Sequence, residues 1–246
     1  MPQQFAEEFE RVRNQVLTMG GLVEGQLQGA IEAMIAGDTD KARTIERDDY
    51  RINAKEVEID EECTRLLAKR QPEASELRLV MSVIKTISDL ERIGDESERV
   101  AKMAKFMGGD RLHENVMTEF EHMGQLVRAM LANVLDAFAR TSVEQAVAVV
   151  EADQKVDAKY ESITRQLMTY MAEDPRAIPA VLNILWAARA LERIGDRSQN
   201  IAEYIIYLVK GKDVRHTTFE AVVAAAQDET PVDPPLPSQS VVDSEG

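Results

Sequence analysis

Acidic side chains four residues apart occur at two related places in this chain. Glu91 and Asp95 form one pair, and Glu192 and Asp196 form the other. On a helix, residues four apart lie on the same face, so each pair places two carboxylates side by side. Like charges at this spacing repel each other, and the repulsion grows as water is removed. A bound cation would relieve it, and carboxylate oxygens are ligands for hard metal ions.

A second set of oxygen-bearing side chains precedes each acid pair. Asp49 and Asn53 come before the first pair, and Asp153 and Asp157 come before the second, again four residues apart. If two facing helices each project two such side chains, four oxygen ligands meet in each half of the chain. The candidate metal ligands are Asp49, Asn53, Glu91, Asp95, Asp153, Asp157, Glu192 and Asp196.

The predicted ligand set contains neither histidine nor cysteine. The chain's three histidines and its single cysteine lie outside both motifs: His113, His122, His216 and Cys63. Oxygen ligands favour hard cations, with water completing the coordination shell. Ferric iron and the divalent ions of iron, zinc, manganese, magnesium and calcium all fit this set of ligands. They could bind as single ions or as a multinuclear cluster.

Arginines offer a purely structural explanation of the same acids. Four of them can neutralise the carboxylates as surface ion pairs: Arg65, Arg92, Arg99 and Arg193. Two features favour a metal instead. The pairing occurs twice, and an interior glycine, Gly94 or Gly195, lies next to each acid pair and opens space beside the helix backbone.

The elements that must position these acids come from a duplication. The hexapeptide Leu-Glu-Arg-Ile-Gly-Asp occurs at residues 90–95 and again at 191–196. Residues 19–57 also align without a gap on residues 123–161, and ten of the 39 aligned pairs are identical, Gly20 with Gly124 among them. The chain is therefore a tandem repeat of a unit of about a hundred residues.

The composition and periodicity indicate helices packed on helices. Aromatic residues make up only 5% of the chain, while 44% is hydrophobic. Apolar spacing predicts helices at residues 5–36, 41–70 and 75–107, and then at 111–140, 142–172 and 176–209. Because the connections are short, each unit is expected to close as an antiparallel bundle. The predicted fold class is all-α, a tandem repeat of two antiparallel three-helix bundles.

Glycine and proline mark the predicted domain boundaries. Gly108 and Gly109 separate a first repeat at residues 1–109 from a second at 110–216. Residues 217–246 include four prolines and several serines, which predicts a flexible, disordered tail. Within the first helix, Gly21, Gly25 and Gly29 recur every four residues. Such glycines cost about 0.5–1 kcal/mol each relative to alanine, so they predict a close packing contact, a hinge or a dimer surface.

The charge balance narrows the class of partner. The net charge of −15 opposes nucleic acid binding, which draws its affinity from Lys and Arg. A single cysteine excludes an intrachain disulfide, and the N-terminus lacks the pattern of a signal peptide. No apolar run is long enough to span a bilayer. We therefore expect a cytoplasmic protein whose membrane contact is peripheral and made only through partners.

Several motifs beyond the hexapeptide resemble the PhoU family. They are MGGLVEGQL at residues 19–27, EIDEECTRLLAKRQPEASELR at 58–78, YMAEDP at 170–175 and NIAEYIIYLVKG at 200–211. The resemblance covers about residues 5 to 215 and keeps the motifs in order. It implies a pair of three-helix bundles, often dimeric, with metal clusters held by acidic motifs at the eight positions named above.

The resemblance also implies a role. A PhoU-like chain is expected to be a non-enzymatic regulator of phosphate homeostasis. It would act as a signalling adaptor between the ATPase of the Pst phosphate ABC transporter and the PhoR sensor kinase, and would keep the Pho response and phosphate uptake low when phosphate is plentiful. Two alternatives stay open: a metalloenzyme that uses the carboxylate clusters, and a purely structural helical repeat.

This sequence departs from the family pattern at three positions. Many PhoU-like chains carry a histidine directly after the motif aspartate, where this chain has Glu96 and Arg197. Asn53 also stands in place of a charged ligand. We therefore expect the second site to bind metal better than the first.

Overall fold

The computed structural model describes residues 2–69, 73–107 and 114–228. Every regular element in these ranges is helical, which confirms the predicted all-α class. The α-helices are α1 (Pro2–Ala36), α2 (Thr39–Asp48), α3 (Tyr50–Lys69), α4 (Ala74–Met107), α5 (Glu114–Arg140), α6 (Val143–Glu173), α7 (Ile178–Lys210) and α8 (Phe219–Gln227), and a 3-10 turn at Pro175–Ala177 precedes α7. None of the described helices has the length and apolar character needed to cross a membrane.

The helices form the two predicted bundles. In the first unit α1, α3 and α4 all contact one another, and α5, α6 and α7 do the same in the second. Each bundle buries an apolar stripe of helical period, for example Val16, Val23 and Leu27 on α1, all fully buried. The predicted boundary at Gly108 and Gly109 lies outside the described residues.

The middle helix of the first unit is interrupted at Asp49. We predicted one helix over residues 41–70, but the structure has α2 and α3. Asp49 keeps helical angles (φ −55°, ψ −36°), while its carbonyl accepts from the Ile52 amide, three residues on, at 2.9 Å. The chain direction therefore continues through a short stretch of tighter, 3-10-like hydrogen bonding. The equivalent helix α6 runs unbroken through Asp153.

The two units pack through α4 against α7 and α1 against α5. Arg193 Nη1 lies 3.1 Å from Glu96 Oε1, and Arg197 Nη1 lies 3.2 Å from Asp89 Oδ1. A later residue of α7 thus pairs with an earlier residue of α4, which shows that the two helices run antiparallel. The two hexapeptides therefore lie beside each other at the contact between the units. Asp89 is buried and also accepts from the Tyr204 hydroxyl at 2.9 Å. Buried charge between the units is therefore paired.

A reciprocal glycine contact joins α1 to α5. A Cβ built at Gly20 would lie 2.5 Å from Leu135 Cδ2, and one built at Gly124 would lie 3.0 Å from Ile31 Cδ1. Leu135 aligns with Ile31 in the repeat, so the two contacts are equivalent. Each unit inserts an aliphatic side chain where the other has no side chain, which explains why glycine occupies both positions.

We predicted close contacts for Gly21, Gly25 and Gly29 on α1, and in the described part of the chain only one of them has such a contact. A Cβ at Gly29 would lie 3.2 Å from Ile45 Cδ1, but at Gly21 and Gly25 nothing in the described part of the chain lies within 4 Å. For those two positions the prediction of close packing within the chain is wrong. Gly25 instead lines an open groove between α1 and α5.

The first part of the predicted flexible tail is ordered as α8. Thr218 Oγ1 accepts from the Ala221 amide at 3.4 Å and caps the helix, and Val222 is buried where α8 packs on α6 and α7. Lys210 Nζ also donates to the Asp228 carbonyl at 2.9 Å. The prediction of a tail beginning at residue 217 is wrong up to residue 228, because a short apolar face docks there. Residues 229–246 lie outside the described residues.

Candidate metal centre

Three carboxylates converge where α6 and α7 pack in the second unit. Asp153 and Asp157 lie one turn apart on α6, and Asp196 lies on α7. One oxygen from each of the three lies within 4.8 Å of the others. Asp153 is buried, whereas Asp157 and Asp196 are exposed. The group is therefore anchored inside the bundle and open to solvent on its outer side.

The buried member of this group carries an unbalanced charge. Burial raises the pKa of Asp153 to about 7, and the charges of Asp157 and Asp196 add to the increase. Burial also raises the pKa of Asp196, with repulsion from Asp157 as the second cause. In the described part of the chain, Asp153 Oδ1 has no hydrogen-bond partner. A buried carboxylate oxygen without a donor is costly, and a cation would satisfy it.

Gly195 makes room for this carboxylate. A Cβ at that position would lie 2.9 Å from Asp153 Oδ1 and 3.3 Å from Val156 Cγ1. The predicted role of the interior glycine, space beside the helix backbone, is thus met in the second unit. The carboxylate lies directly against α7, close to Asp196, because this position has no side chain.

Glu192, the fourth predicted ligand of the second unit, has a different partner. It is buried, and its Oε1 lies 2.5 Å from Arg189 Nη1, while its Oε2 has no partner among the described residues. The Arg189 guanidinium is also held 5.5 Å from the centre of the Tyr160 ring. Burial and the charge of Asp196 raise the pKa of Glu192. The sequence did not lead us to Arg189, although its position three residues before Glu192 was the available signal.

The first-unit site is arranged differently. Gln26 reaches it from α1, and its Nε2 donates to Asp49 Oδ1 at 2.8 Å and to the Gly94 carbonyl at 3.2 Å. Asn53 Nδ2 lies 3.4 Å from Asp49 Oδ2. Amide donors therefore surround the buried carboxylate of the first unit. Among the residues that the structure describes, no group of three metal-binding side chains converges here.

The remaining acids of the first unit lie further out. Burial raises the pKa of Glu91, with repulsion from Asp95 second, and it raises that of Asp95, with repulsion from Asp49 second. Glu56, on α3, joins them, because Asp95 is among the charges that raise its pKa after burial and Asp60. Sequence reasoning missed Glu56, whose place in the second unit is taken by Tyr160.

Comparison with known proteins places the whole bundle pair in one family. Residues 16–104 and 120–205 each match the PhoU domain. The chain belongs to the PhoU family. The phosphate-specific transport system accessory protein PhoU of Escherichia coli K12 is 52% identical over 215 residues, covering 87% of this chain and 88% of that protein. The corresponding protein of Edwardsiella tarda is also 52% identical, with 87% of each chain covered.

Solved PhoU structures share the fold. The crystal structure of PhoU from Pseudomonas aeruginosa superposes with a TM-score of 0.82 at 48% identity, covering 85% of this chain and all of that one. The regulatory protein PhoU of the phosphate transport system of Streptococcus pneumoniae gives a TM-score of 0.80 at 31% identity, over 85% and 99% of the two chains. The two PhoU domains coincide with the two bundles, so each domain contains one acidic site.

Most of the arginines that could neutralise the acids of these PhoU domains pair elsewhere. Arg99 and Arg193 both lie 3.1 Å from Glu96, and Arg65 lies 3.2 Å from Glu62. Arg92 lies close enough to lower the pKa of Glu91 and of Glu56, and the charge of Arg99 lowers that of Asp95. The ion-pair explanation therefore accounts for part of the first PhoU domain. In the second, Arg189, Arg193 and Arg197 form their ion pairs with other acids, and their charges only partly offset the raised pKa of Asp196.

The second PhoU domain fits a hard cation. It offers three carboxylates at coordinating separation, one of them buried with an unpaired oxygen, and an open side where water can complete the shell. Neither His122 nor His216 joins this ligand group.

Proposed function

We propose that this chain is a non-enzymatic regulator of phosphate transport. The observation that carries the proposal is the match of both bundles to PhoU domains, with relatives named as accessory proteins of the phosphate-specific transport system over 87% of the chain. The match includes the acidic motifs of both units. The names of these relatives support a non-enzymatic role over a metalloenzyme.

We further propose an adaptor mechanism. The chain would link the Pst transporter ATPase to the PhoR sensor kinase and would restrain the Pho response when phosphate is plentiful. Such a role needs protein-binding surfaces, and large apolar side chains are exposed on both units: Tyr50 at 66%, Phe106 at 69% and Trp186 at 58%. A cytoplasmic location and a homodimer stay predictions of the family resemblance.

A cation in the second unit is part of this proposal. Asp153, Asp157 and Asp196 would hold it, and it would neutralise their mutual repulsion while joining α6 to α7. Iron, zinc, manganese, magnesium and calcium remain the candidates, because carboxylate and water ligands suit all of them. The cation would thus set the stability of the second bundle, whose helix α7 forms the contact with the first unit.

The function is tested by phosphate control in living cells. A strain lacking its resident gene is complemented with this gene, and Pho-controlled alkaline phosphatase activity and phosphate uptake are measured in phosphate-rich medium. We expect high phosphatase activity in the deletion strain and low activity after complementation. Unchanged activity and uptake in the deletion strain would contradict the regulatory role.

The cation's contribution is read in the same assay. The double variant Asp157→Asn with Asp196→Asn should restore repression poorly. Glu161→Gln, an exposed change on the same helix α6, is the matched control and should complement like the parent gene. Full repression by the double variant at equal protein level would separate regulation from cation binding.

A further inference from the structure

Gln26 reaches the buried carboxylate of the first acid site from a helix that carries none of the predicted ligands. Its Nε2 lies 2.8 Å from Asp49 Oδ1 and 3.2 Å from the Gly94 carbonyl oxygen. A side-chain amide has two N–H donors, and both oxygens contacted here are ones that a cation would also attract. The amide therefore supplies to the buried carboxylate what a cation would otherwise supply.

The second unit lacks this amide. The repeat places Met130 at the position of Gln26 and Asp157 at the position of Asn53. Met130 is 2% exposed, and a thioether has no hydrogen to donate. Asp153 Oδ1, the counterpart of the oxygen bound by Gln26, has no partner in the described part of the chain. Two aligned positions thus differ in the amide donor, and the facing carboxylate oxygen has a hydrogen-bond partner in the first unit but none in the described part of the second.

The position of the carboxylates agrees with this difference. A Cβ at Gly195 would lie 2.9 Å from Asp153 Oδ1, whereas a Cβ at Gly94 would lie 3.7 Å from Asp49 Oδ1. The Asp49 oxygen is therefore further from its facing helix, α4, and hydrogen-bonded to α1. In the second unit the oxygen lies against α7, on the side where Asp196 also projects.

We propose that Gln26 closes the first acid site to cations, so that cation binding is confined to the second unit. The inference rests on the proposed cation site of the second unit. It adds that the determinant is a side chain on the first helix of each bundle, outside the acidic motifs themselves. Transferring the amide should close the second site, and removing it should open the first.

The closing arm of the test uses Met130→Gln in the full-length chain. Protein is stripped with EDTA, and binding of Mn²⁺ and, in parallel, of Zn²⁺ is measured by isothermal titration calorimetry. We expect the affinity to fall at least tenfold, because the new amide would compete for Asp153. Met130→Leu, which conserves volume and adds no donor, is the matched control and should bind like the parent.

The opening arm uses Gln26→Met together with Asn53→Asp, in a background where Asp157→Asn and Asp196→Asn remove the second site. We expect about one new equivalent of bound cation. The same background with Gln15→Met in place of Gln26→Met is the control, because Gln15 also reaches from α1 to α3, where its Nε2 donates to Glu58 at 3.1 Å. That control should bind no additional cation.

The two arms separate failure of this inference from failure of the cation site. If the parent binds cation but Met130→Gln binds equally well and the opened first unit binds none, Gln26 is not the determinant. If the parent binds no cation, the proposed second-unit site fails, and the opening arm alone decides the role of Gln26. Circular dichroism monitors folding, and if Met130→Gln does not fold, the opening arm again decides.

Discussion

The two units of this chain share their helices but differ in how they balance buried charge. In the first, Asp49 is surrounded by the amides of Gln26 and Asn53. In the second, Asp153 has one oxygen without a partner in the described chain and two further aspartates at coordinating distance. The same duplicated geometry therefore yields a site whose buried carboxylate is hydrogen-bonded by the protein and a site whose buried carboxylate has an oxygen without a donor in the described chain, where we propose a cation.

The difference shows that two aligned positions of the repeat can keep the same place in the fold while their side chains differ in hydrogen bonding. Gly20 and Gly124 make equivalent contacts because both serve the packing of one unit on the other. Gln26 and Met130 occupy equivalent positions and do opposite things, since one donates hydrogen bonds and the other cannot. We therefore expect a residue one helix away from the acidic motif to influence what the motif can bind.

The largest expected effect comes from removing carboxylates in one unit at a time. Asp157→Asn with Asp196→Asn should weaken cation binding by about a hundredfold or more, since it removes the charge of two of the three converging ligands. The matched pair Glu91→Gln with Asp95→Asn, in the first unit, should leave the affinity within about twofold. Calorimetric titration of stripped protein checks both. Equal losses of cation affinity in the two double variants would contradict the proposed difference between the units.

A smaller effect, on the free energy of unfolding, is expected at the glycine contact that both units make. Gly20→Ala places a Cβ 2.5 Å from Leu135 Cδ2, and such overpacking costs about 1–3 kcal/mol, only partly offset by the higher helix propensity of alanine. Gly21→Ala, one residue on, meets nothing within 4 Å in the described chain and should stabilise the protein by about 0.5–1 kcal/mol. Urea unfolding measures both free energies. If Gly20→Ala stabilised the protein, this would contradict the explanation that the contact with Leu135 requires glycine at this position.

Substituting the glycine beside the acids should lower cation affinity in the second unit but not in the first. Gly195→Ala would bring a Cβ to 2.9 Å from Asp153 Oδ1, so we expect cation affinity to fall about tenfold, or about 1.4 kcal/mol. Gly94→Ala meets Ile52 Cδ1 at 3.1 Å and should change stability without changing cation binding. Thermal unfolding and titration of both variants distinguish the two outcomes. Unchanged affinity in Gly195→Ala would mean that Asp153 is not a ligand.

The smallest effect is a pH dependence of stability, to which Asp153 of the second unit contributes. The pKa of Asp153 is raised to about 7 in the folded protein, so the folded state binds a proton that the unfolded state releases near pH 4. Stability from this group is fully present below the unfolded pKa and is lost as pH rises to about 7. In EDTA, Tm should fall by a few degrees between pH 5 and pH 8.

Asp153→Asn should reduce that decrease, because an amide cannot lose the proton. Burial raises the pKa of Glu192 and of Asp196 as well, so part of the dependence should remain. Asn53→Ala in the first unit is the control and should leave the pH profile unchanged. A profile identical in Asp153→Asn and the parent would show that the charge of Asp153 is already balanced.

Much of the fold could be predicted from the sequence because its signals are local. Apolar spacing predicted the long helices to within a few residues. The repeated hexapeptide indicated Asp196, and the aligned stretches at residues 19–57 and 123–161 indicated Asp153 and Asp157 on the preceding helix, which the structure brings together. The expectation that the second site binds metal better than the first, drawn from Asn53, stays a prediction.

The features that the sequence did not reveal depend on contacts between distant residues. The bonds of Gln26 to Asp49 and Gly94 join residues 23 and 68 positions apart, and periodicity does not show which way a side chain on α1 turns. The interruption at Asp49 and the docking of α8 likewise depend on neighbouring helices. The aligned pair Gln26 and Met130 was the available signal for the difference between the sites.

The most direct test of the central claim is to locate the cation. Crystals of EDTA-stripped protein would be soaked in Mn²⁺, and anomalous differences collected near the manganese edge. The account predicts a strong peak within coordination distance of Asp153, Asp157 and Asp196, and none beside Asp49. A peak of equal height beside Asp49, or a peak only there, would contradict the division of roles between the two units.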